Sequence, residues 1–363
     1  MSVRVLVVDD SSLMRKLISN ILTEDPEIEV VATAQNGKFA LEKIAQFEPD
    51  VVTLDVEMPV MDGLETLKEI MRGHPRPVIM ISAVTQAGAR QTMEALELGA
   101  VDFIPKPDAV FSTSIIEMKA DIVMKVKAAA SIKVHKLDKG REEEVSSVTA
   151  KVVEEAPASR GLQTAAVSST GKVQAAVCIG ISTGGPEALR QILPSVPADF
   201  PLPILIVQHM PPGFTRAFAE RLDTVCPVEV LEAKHGDELK PGRVMIAPGD
   251  RHLVVENHVR GFFAGVNQKE KVSLFRPSID VLMGSVSEHF QAETLAIIMT
   301  GMAHDGVNGI KTVKARGGRT LAQDEDTSVV FGMNKLAIET GCVDRVLPLG
   351  LIIPHVIQWA KTR

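Results

Sequence analysis

Short β-branched runs ending in acids, hydroxyls or glycines, with amphipathic stretches between them, recur along much of this 363-residue chain. Residues 3–8 (VRVLVV), 50–54 (DVVTL), 77–81 (PVIMI) and 101–105 (VDFIP) form a first series, with residues 29–34 included as its second strand. Such runs read as strands, and their alternation with helical stretches predicts a parallel sheet covered on both faces by helices. Residues 1–125 then supply five βα units, the size of a flavodoxin-like domain with five parallel strands.

From about residue 128 the composition turns to Ser, Ala, Lys and Glu without apolar periodicity, which predicts a linker over 126–172, helical in part at its start. A second α/β series begins with VQAAVCIGI at 173–181 and continues through PILIVQHM, LAIIMTGM and a terminal helix, LGLIIPHVIQWAK. The expected architecture over 173–363 is a larger doubly wound α/β domain. The segment RVMIAPGDRHLVVENHVRGFFAGV inside it reads as antiparallel hairpins inserted near one edge. With 45% hydrophobic residues the chain has material for two cores of roughly 100–200 residues each.

A net charge of −7 argues against a nucleic-acid partner. Three scattered cysteines, Cys178, Cys226 and Cys342, form neither a disulfide framework nor a zinc motif. No apolar run approaches the roughly 18 residues of a membrane span, so a cytoplasmic location is expected.

Asp9 and Asp10 follow the first strand and Asp55 follows the third, so in an open parallel sheet three carboxylates converge beyond the strand ends. Unpaired acids this close repel one another unless a hard divalent cation, naturally Mg²⁺, holds them. Such a site lets one carboxylate, here Asp55, attack a phosphoryl donor and form an acyl phosphate. Ser82 ends the fourth strand and Lys106 follows the fifth, placing a hydroxyl and an ammonium where phosphoryl oxygens would sit. Movement of Ser82, followed by Phe103, would carry the signal outward.

Taken singly, acids at strand ends are turn or cap residues. The combination VVDDS, TLDVEMPVMDG and IPKP closely resembles response-regulator receiver domains over residues 1 to about 125. That resemblance implies Mg²⁺ held by Asp10, Asp55 and the Glu57 main-chain carbonyl, with Asp9 assisting through water, and a histidine kinase as phosphodonor.

In the second series Gly180-Ile181-Ser182-Thr183-Gly184-Gly185 stands between a strand and a helix start at Pro186. A nucleophile elbow, a phosphate-binding loop and a plain turn all share this pattern. His209 ends the next apolar strand, and Asp305 follows the IMTGMAH loop of another. A serine hydroxyl needs a base within hydrogen-bond reach, and the base needs a partner that sets its tautomer, so Ser182, His209 and Asp305 each supply one role. Asp305 is also placed to cap the helix GVNGIKTVKA. The order Ser, His, Asp is not that of α/β-hydrolases; His355 would restore it, but lies in the apolar terminal helix and reads as a core or helix-end residue.

Together GISTGGPEAL, VQHMPPGFT and IMTGMAHDG resemble the catalytic domain of chemotaxis protein-glutamate methylesterases over about 175–360. The resemblance implies that Ser182 attacks methylated glutamates, releasing methanol, and likewise glutamines, on methyl-accepting chemoreceptors. Thr183 and the Met302 backbone N–H would surround the oxyanion, with no cofactor at this site. The expected form is a monomer that meets membranes only through receptors. Two positions depart from the family, which commonly has Ala at Ile181 and Gly at Ala303; His304 is either an additional candidate base or a variable surface residue, and the second reading is preferred. If position 303 is left-handed, Ala costs roughly 1–2 kcal/mol there.

A receiver ahead of a hydrolase suggests a cleft masked until Asp55 is phosphorylated. A phosphate- or nucleotide-binding module built on GISTGG is the alternative, though it lacks the P-loop lysine; a DNA-binding regulator lacks the basic surface it would need.

Overall fold

Every apolar run of the first series is a strand, and four of the intervening helices start on a side chain suited to hold a free backbone N–H. The computed structural model describes residues 2–106, 113–132 and 173–363. Its first part runs β1 (Val3–Val8), α1 (Ser12–Thr23), β2 (Ile28–Ala34), α2 (Gly37–Phe47), β3 (Val51–Asp55), α3 (Gly63–Gly73), β4 (Val78–Ser82), α4 (Gln86–Glu97), β5 (Asp102–Pro105) and α5 (Thr113–Ala130). Ser11, Asn36, Asp62 and Thr85 cap α1 to α4. The strands form one parallel sheet in the order β2-β1-β3-β4-β5. All five residues of β3 and of β4 are buried, as expected of central strands with helices on both faces. Helix α5 runs past the boundary expected at residue 125, and most of the 126–172 linker lies outside the described residues.

The second part comprises β6 (Ala176–Ile181), α6 (Gly185–Ile192), β7 (Ile204–Gln208), α7 (Phe214–Asp223), β8 (Glu229–Glu232), β9 (Arg243–Ile246), β10 (His252–His258), β11 (Gly261–Asn267) and α8 (Ile279–Phe290). It continues with β12 (Thr294–Ile298), α9 (Val307–Ala315), β13 (Arg319–Gln323), α10 (Met333–Glu339), β14 (Arg345–Leu347) and α11 (Leu349–Ala360). Helix α11, which ends at Ala360, carries His355 on the terminal apolar segment. Seven strands form a parallel sheet in the order β14-β13-β12-β6-β7-β9-β8, so β12, β6 and β7 are central neighbours. All three are buried along their whole length.

The expected hairpin insertion is half corrected. Only β10 and β11 pair antiparallel, as a sheet of their own. The RVMI run is β9, which pairs parallel with β7 and β8. The reason is that α7 carries the chain back between β7 and β8, and residues 233–242 carry it back again between β8 and β9, so that all three strands run the same way. Among the described residues no helix is long and apolar enough to cross a membrane.

Candidate functional site

Adjacent strand ends gather the acidic group at one edge of the first sheet. Asp9 and Asp10 follow β1, Asp55 closes β3, Ser82 closes β4 and Lys106 follows β5. One carboxylate oxygen from each of Asp9, Asp10 and Asp55 lies within 4.8 Å of the others. Lys106 Nζ donates to Asp55 Oδ2 at 2.7 Å and stands 3.3 Å from Asp9 Oδ2. That Asp9 oxygen is buried and makes no directed hydrogen bond. Burial pushes the Asp55 carboxyl up to about 6, against the pull of Lys106 and with the help of Asp9. One ammonium for three clustered acids leaves negative charge that a hard divalent cation would neutralise, so the donor set fits such an ion. Glu57 is exposed beside Asp10 on the rim, and its N–H donates to Asp55 Oδ1 at 3.3 Å. The Ser82 hydroxyl donates to the Gly88 carbonyl of α4 at 3.2 Å.

The three central strands of the second sheet end in Ser182, His209 and the loop that carries Asp305. Ser182 Oγ lies 3.2 Å from His209 Nδ1, and His209 Nε2 lies 2.9 Å from Asp305 Oδ2. With a carboxylate at Nε2, that nitrogen carries the proton and Nδ1 presents its lone pair to the serine hydroxyl. Gly301 must be a glycine here, because a Cβ would sit 2.6 Å from the Ser182 Cβ. His304 is exposed, and the imidazole at Ser182 is that of His209 rather than His304 or His355.

Asp305 does not cap α9, as its position before GVNGIKTVKA suggested. Its carboxylate accepts from Ser278 Oγ (2.7 Å), Ile279 N–H (2.7 Å) and Asp280 N–H (3.1 Å), and so sits at the N-terminus of α8. The Asp280 carboxylate in turn accepts from Gly306 N–H at 2.9 Å and Gly309 N–H at 2.6 Å, serving the start of α9. The two helices exchange carboxylates because Gly306, the residue before α9, has no side chain with which to cap it. Burial alone would raise the Asp305 pKa, but hydrogen bonds from His209, Ile279 and Ser278 hold it below the ordinary carboxylate value.

Thr183 is buried beside the serine, and its carbonyl accepts from Thr300 Oγ1 at 2.9 Å. Met302 is half-buried in the loop that Gly301 begins. Ala303 has φ 78° and so bears the left-handed strain that a glycine would avoid. Ala303→Gly is expected to raise stability by about 1 kcal/mol, or about 2–4 °C in Tm; thermal unfolding checks this, and an unchanged Tm would mean that the loop relieves the strain elsewhere.

Two further residues join the site, Gln208 from within the VQHMPPGFT stretch and Phe275 from outside every motif. Gln208 Nε2 donates to the Ser182 carbonyl at 3.0 Å, tying the end of β7 to the serine turn. Phe275 lies parallel to the His209 ring, with centroids 4.1 Å apart and planes at 8°. Sequence gives no signal for the second beyond an aromatic residue in a polar loop.

The two sheets' units meet beside this site. Phe103, buried on β5, stacks on Phe214 at the start of α7 with centroids 4.4 Å apart. Glu97 at the end of α4 accepts both Nε (2.6 Å) and Nη2 (2.9 Å) of Arg221 on α7.

Fold and site define a receiver joined to a hydrolase, and comparison with known proteins identifies both parts. Residues 5–112 match the response regulator receiver domain and residues 177–356 match the CheB methylesterase. A protein-glutamate methylesterase/protein-glutamine glutaminase of Pyrococcus horikoshii is 45% identical over 356 residues, covering 98% of this chain and 93% of that one. Its counterpart from Pyrococcus abyssi is 46% identical over the same shares. The crystal structure of the Thermotoga maritima CheB methylesterase catalytic domain is 45% identical, with a TM-score of 0.50 over 52% of this chain and 98% of that one. The chain belongs to the protein-glutamate methylesterase/protein-glutamine glutaminase family.

Proposed function

We propose that this chain demethylates glutamate methyl esters and deamidates glutamines on methyl-accepting chemoreceptors through Ser182, and that phosphorylation of Asp55 raises the rate. The carrying observation is the unbroken line of hydrogen bonds from Ser182 through His209 to Asp305. His209 Nδ1 takes the hydroxyl proton as Ser182 Oγ attacks the side-chain carbonyl carbon, and the Asp305 carboxylate stabilises the resulting imidazolium. Thr183 and the Met302 backbone N–H surround the developing oxyanion. His209 then gives the proton to the leaving oxygen, so methanol departs and an acyl-serine remains. Water, deprotonated by the same nitrogen, frees the carboxylate and restores Ser182. An amide follows the same route with ammonia as leaving group, and this chemistry needs no cofactor.

In the receiver, Asp10, Asp55 and the Glu57 carbonyl would hold Mg²⁺, with Asp9 acting through water. When bound, the ion neutralises the carboxylates and the oxygens of an incoming phosphoryl group. Asp55 accepts that group from a histidine kinase, Lys106 pairs with its oxygens, and the Ser82 hydroxyl leaves Gly88 for them. Phe103 and α4 then loosen from Phe214 and Arg221, uncovering the serine site. The working division is a receiver over 1–125, a linker over 126–172 and a catalytic domain over 173–363, acting as a cytoplasmic monomer.

Acetyl phosphate with Mg²⁺ is expected to raise methanol release from methylated receptor membranes about tenfold, which needs only about 1.4 kcal/mol of coupling, and Asp55→Asn is expected to lose the rise. An equal rise in Asp55→Asn would remove the phosphorylation half of the proposal.

A further inference from the structure

Between β11 and α8 the chain makes a tight turn at Val272–Phe275. Val272 N–H donates to the Phe275 carbonyl at 3.1 Å, and Phe275 N–H to the Val272 carbonyl at 2.9 Å. The residues between them, Ser273 (φ 52°) and Leu274 (φ 73°), are both left-handed. A two-residue hairpin turn of this hand favours glycine or asparagine at its centre, because other side chains are strained there. Strain of this kind persists only where the surroundings over-determine the backbone, and it gathers at working sites.

The surroundings do so here. Arg276 donates Nε and Nη2 to Asp250 Oδ1 at 2.9 and 2.6 Å, and Nη1 to the carbonyls of Gln268 (3.2 Å) and Lys269 (3.0 Å). Two residues further on, Ser278 and Ile279 bind the Asp305 carboxylate. A single stretch of chain therefore holds Asp305 against one edge of His209 and lays Phe275 across its face.

We infer that Phe275 is a positioning residue for His209: the turn exists to keep an aromatic face against the imidazole, fixing its plane for the proton transfer from Ser182. This rests on the reading of His209 as the base. The hydrogen bonds to Ser182 and Asp305 hold two points of the ring's edge but leave it free to tilt about the line between them, and the torsion that sets a histidine ring's plane is intrinsically broad. A parallel aromatic face removes that freedom. When the ring takes the serine proton it becomes a cation, which the negative face of the phenyl ring attracts. An aliphatic side chain of similar size would exclude water equally well but offer no such charge.

The test measures methanol release by the full chain, with acetyl phosphate and Mg²⁺, against substrate concentration for the wild type, Phe275→Leu, Phe275→Met and Phe275→Tyr, with His209→Ala as control. Leu and Met are expected to lower kcat about tenfold with KM within about twofold, and Tyr to restore kcat. Because turnover is not the only readout, NMR relaxation of the His209 ring is expected to show a more mobile ring in both aliphatic variants. An equally ordered ring, or a fall in kcat that Tyr does not rescue, overturns the inference and leaves Phe275 a packing residue. Full activity in His209→Ala would instead overturn the assignment of the base, a separate result.

Discussion

Ser182→Ala is expected to lower methanol release from methylated receptors by ~10⁴-fold or more while leaving the fold intact. The hydroxyl is the atom that forms the bond to substrate, and His209 Nδ1 is paired with it. Its removal costs one hydrogen bond, to His209, worth about 1 kcal/mol, so Tm is expected to fall by only about 2–4 °C. The residual rate reflects binding and oxyanion stabilisation alone. Release that does not depend on Ser182 would remove the catalytic assignment; saturable nucleotide binding at the same turn would then favour the anion-binding alternative.

Asp305→Asn is expected to act on rate and stability together. An amide at this position cannot set the His209 tautomer, and a loss of ~10⁴-fold in kcat is expected on that ground. The carboxylate also accepts from Ser278, Ile279 and Asp280, and an amide nitrogen turned towards any of them leaves buried donors unpaired. A destabilisation of about 2–4 kcal/mol, or roughly 5–15 °C in Tm, is expected from this. The pH dependence gives a further check. Asp305 titrates below its ordinary value of 3.8 in the folded chain, so its stabilisation is present above that value and is lost as pH falls below it towards the folded pKa. The asparagine variant is expected to lack that part of the acid sensitivity in unfolding titrations. Wild-type stability in the variant would mean that the helix does not depend on the charge.

The site residues were legible because a parallel sheet converts position along the chain into position in space. A residue at the C-terminal end of an apolar run lies at the same edge as every other such residue of its sheet, so Asp9, Asp55 and Lys106 could be grouped on the first sheet, and Ser182 and His209 on the second, from their positions along the chain. What spacing does not encode is which segments meet across the edge. The RVMI run has the same apolar character whether its neighbour runs parallel or antiparallel, and the path of residues 233–242, which return the chain between β8 and β9, decides. β13, RTLAQ, and the three-residue β14 carry too few apolar side chains to stand out as strands. Phe275 reaches His209 through the shape of a turn whose residues, Ser and Leu, do not announce a turn. Its place in the sequence suits Asp305 both to orient His209 and to cap the helix that follows it; tertiary packing keeps the first pairing and gives its capping to another helix.

The exchange of carboxylates between α8 and α9 limits how this site can change over generations. Replacing Asp305 strips the start of α8, and replacing Asp280 strips the start of α9, so loss at either position exposes N–H groups on a helix belonging to the other segment. Neither position can drift alone without penalty. A lineage that gave up the esterase chemistry would still be held to an acid at 305 by the needs of α8, and the presence of that residue in a relative would therefore be weak testimony that the relative remains an enzyme.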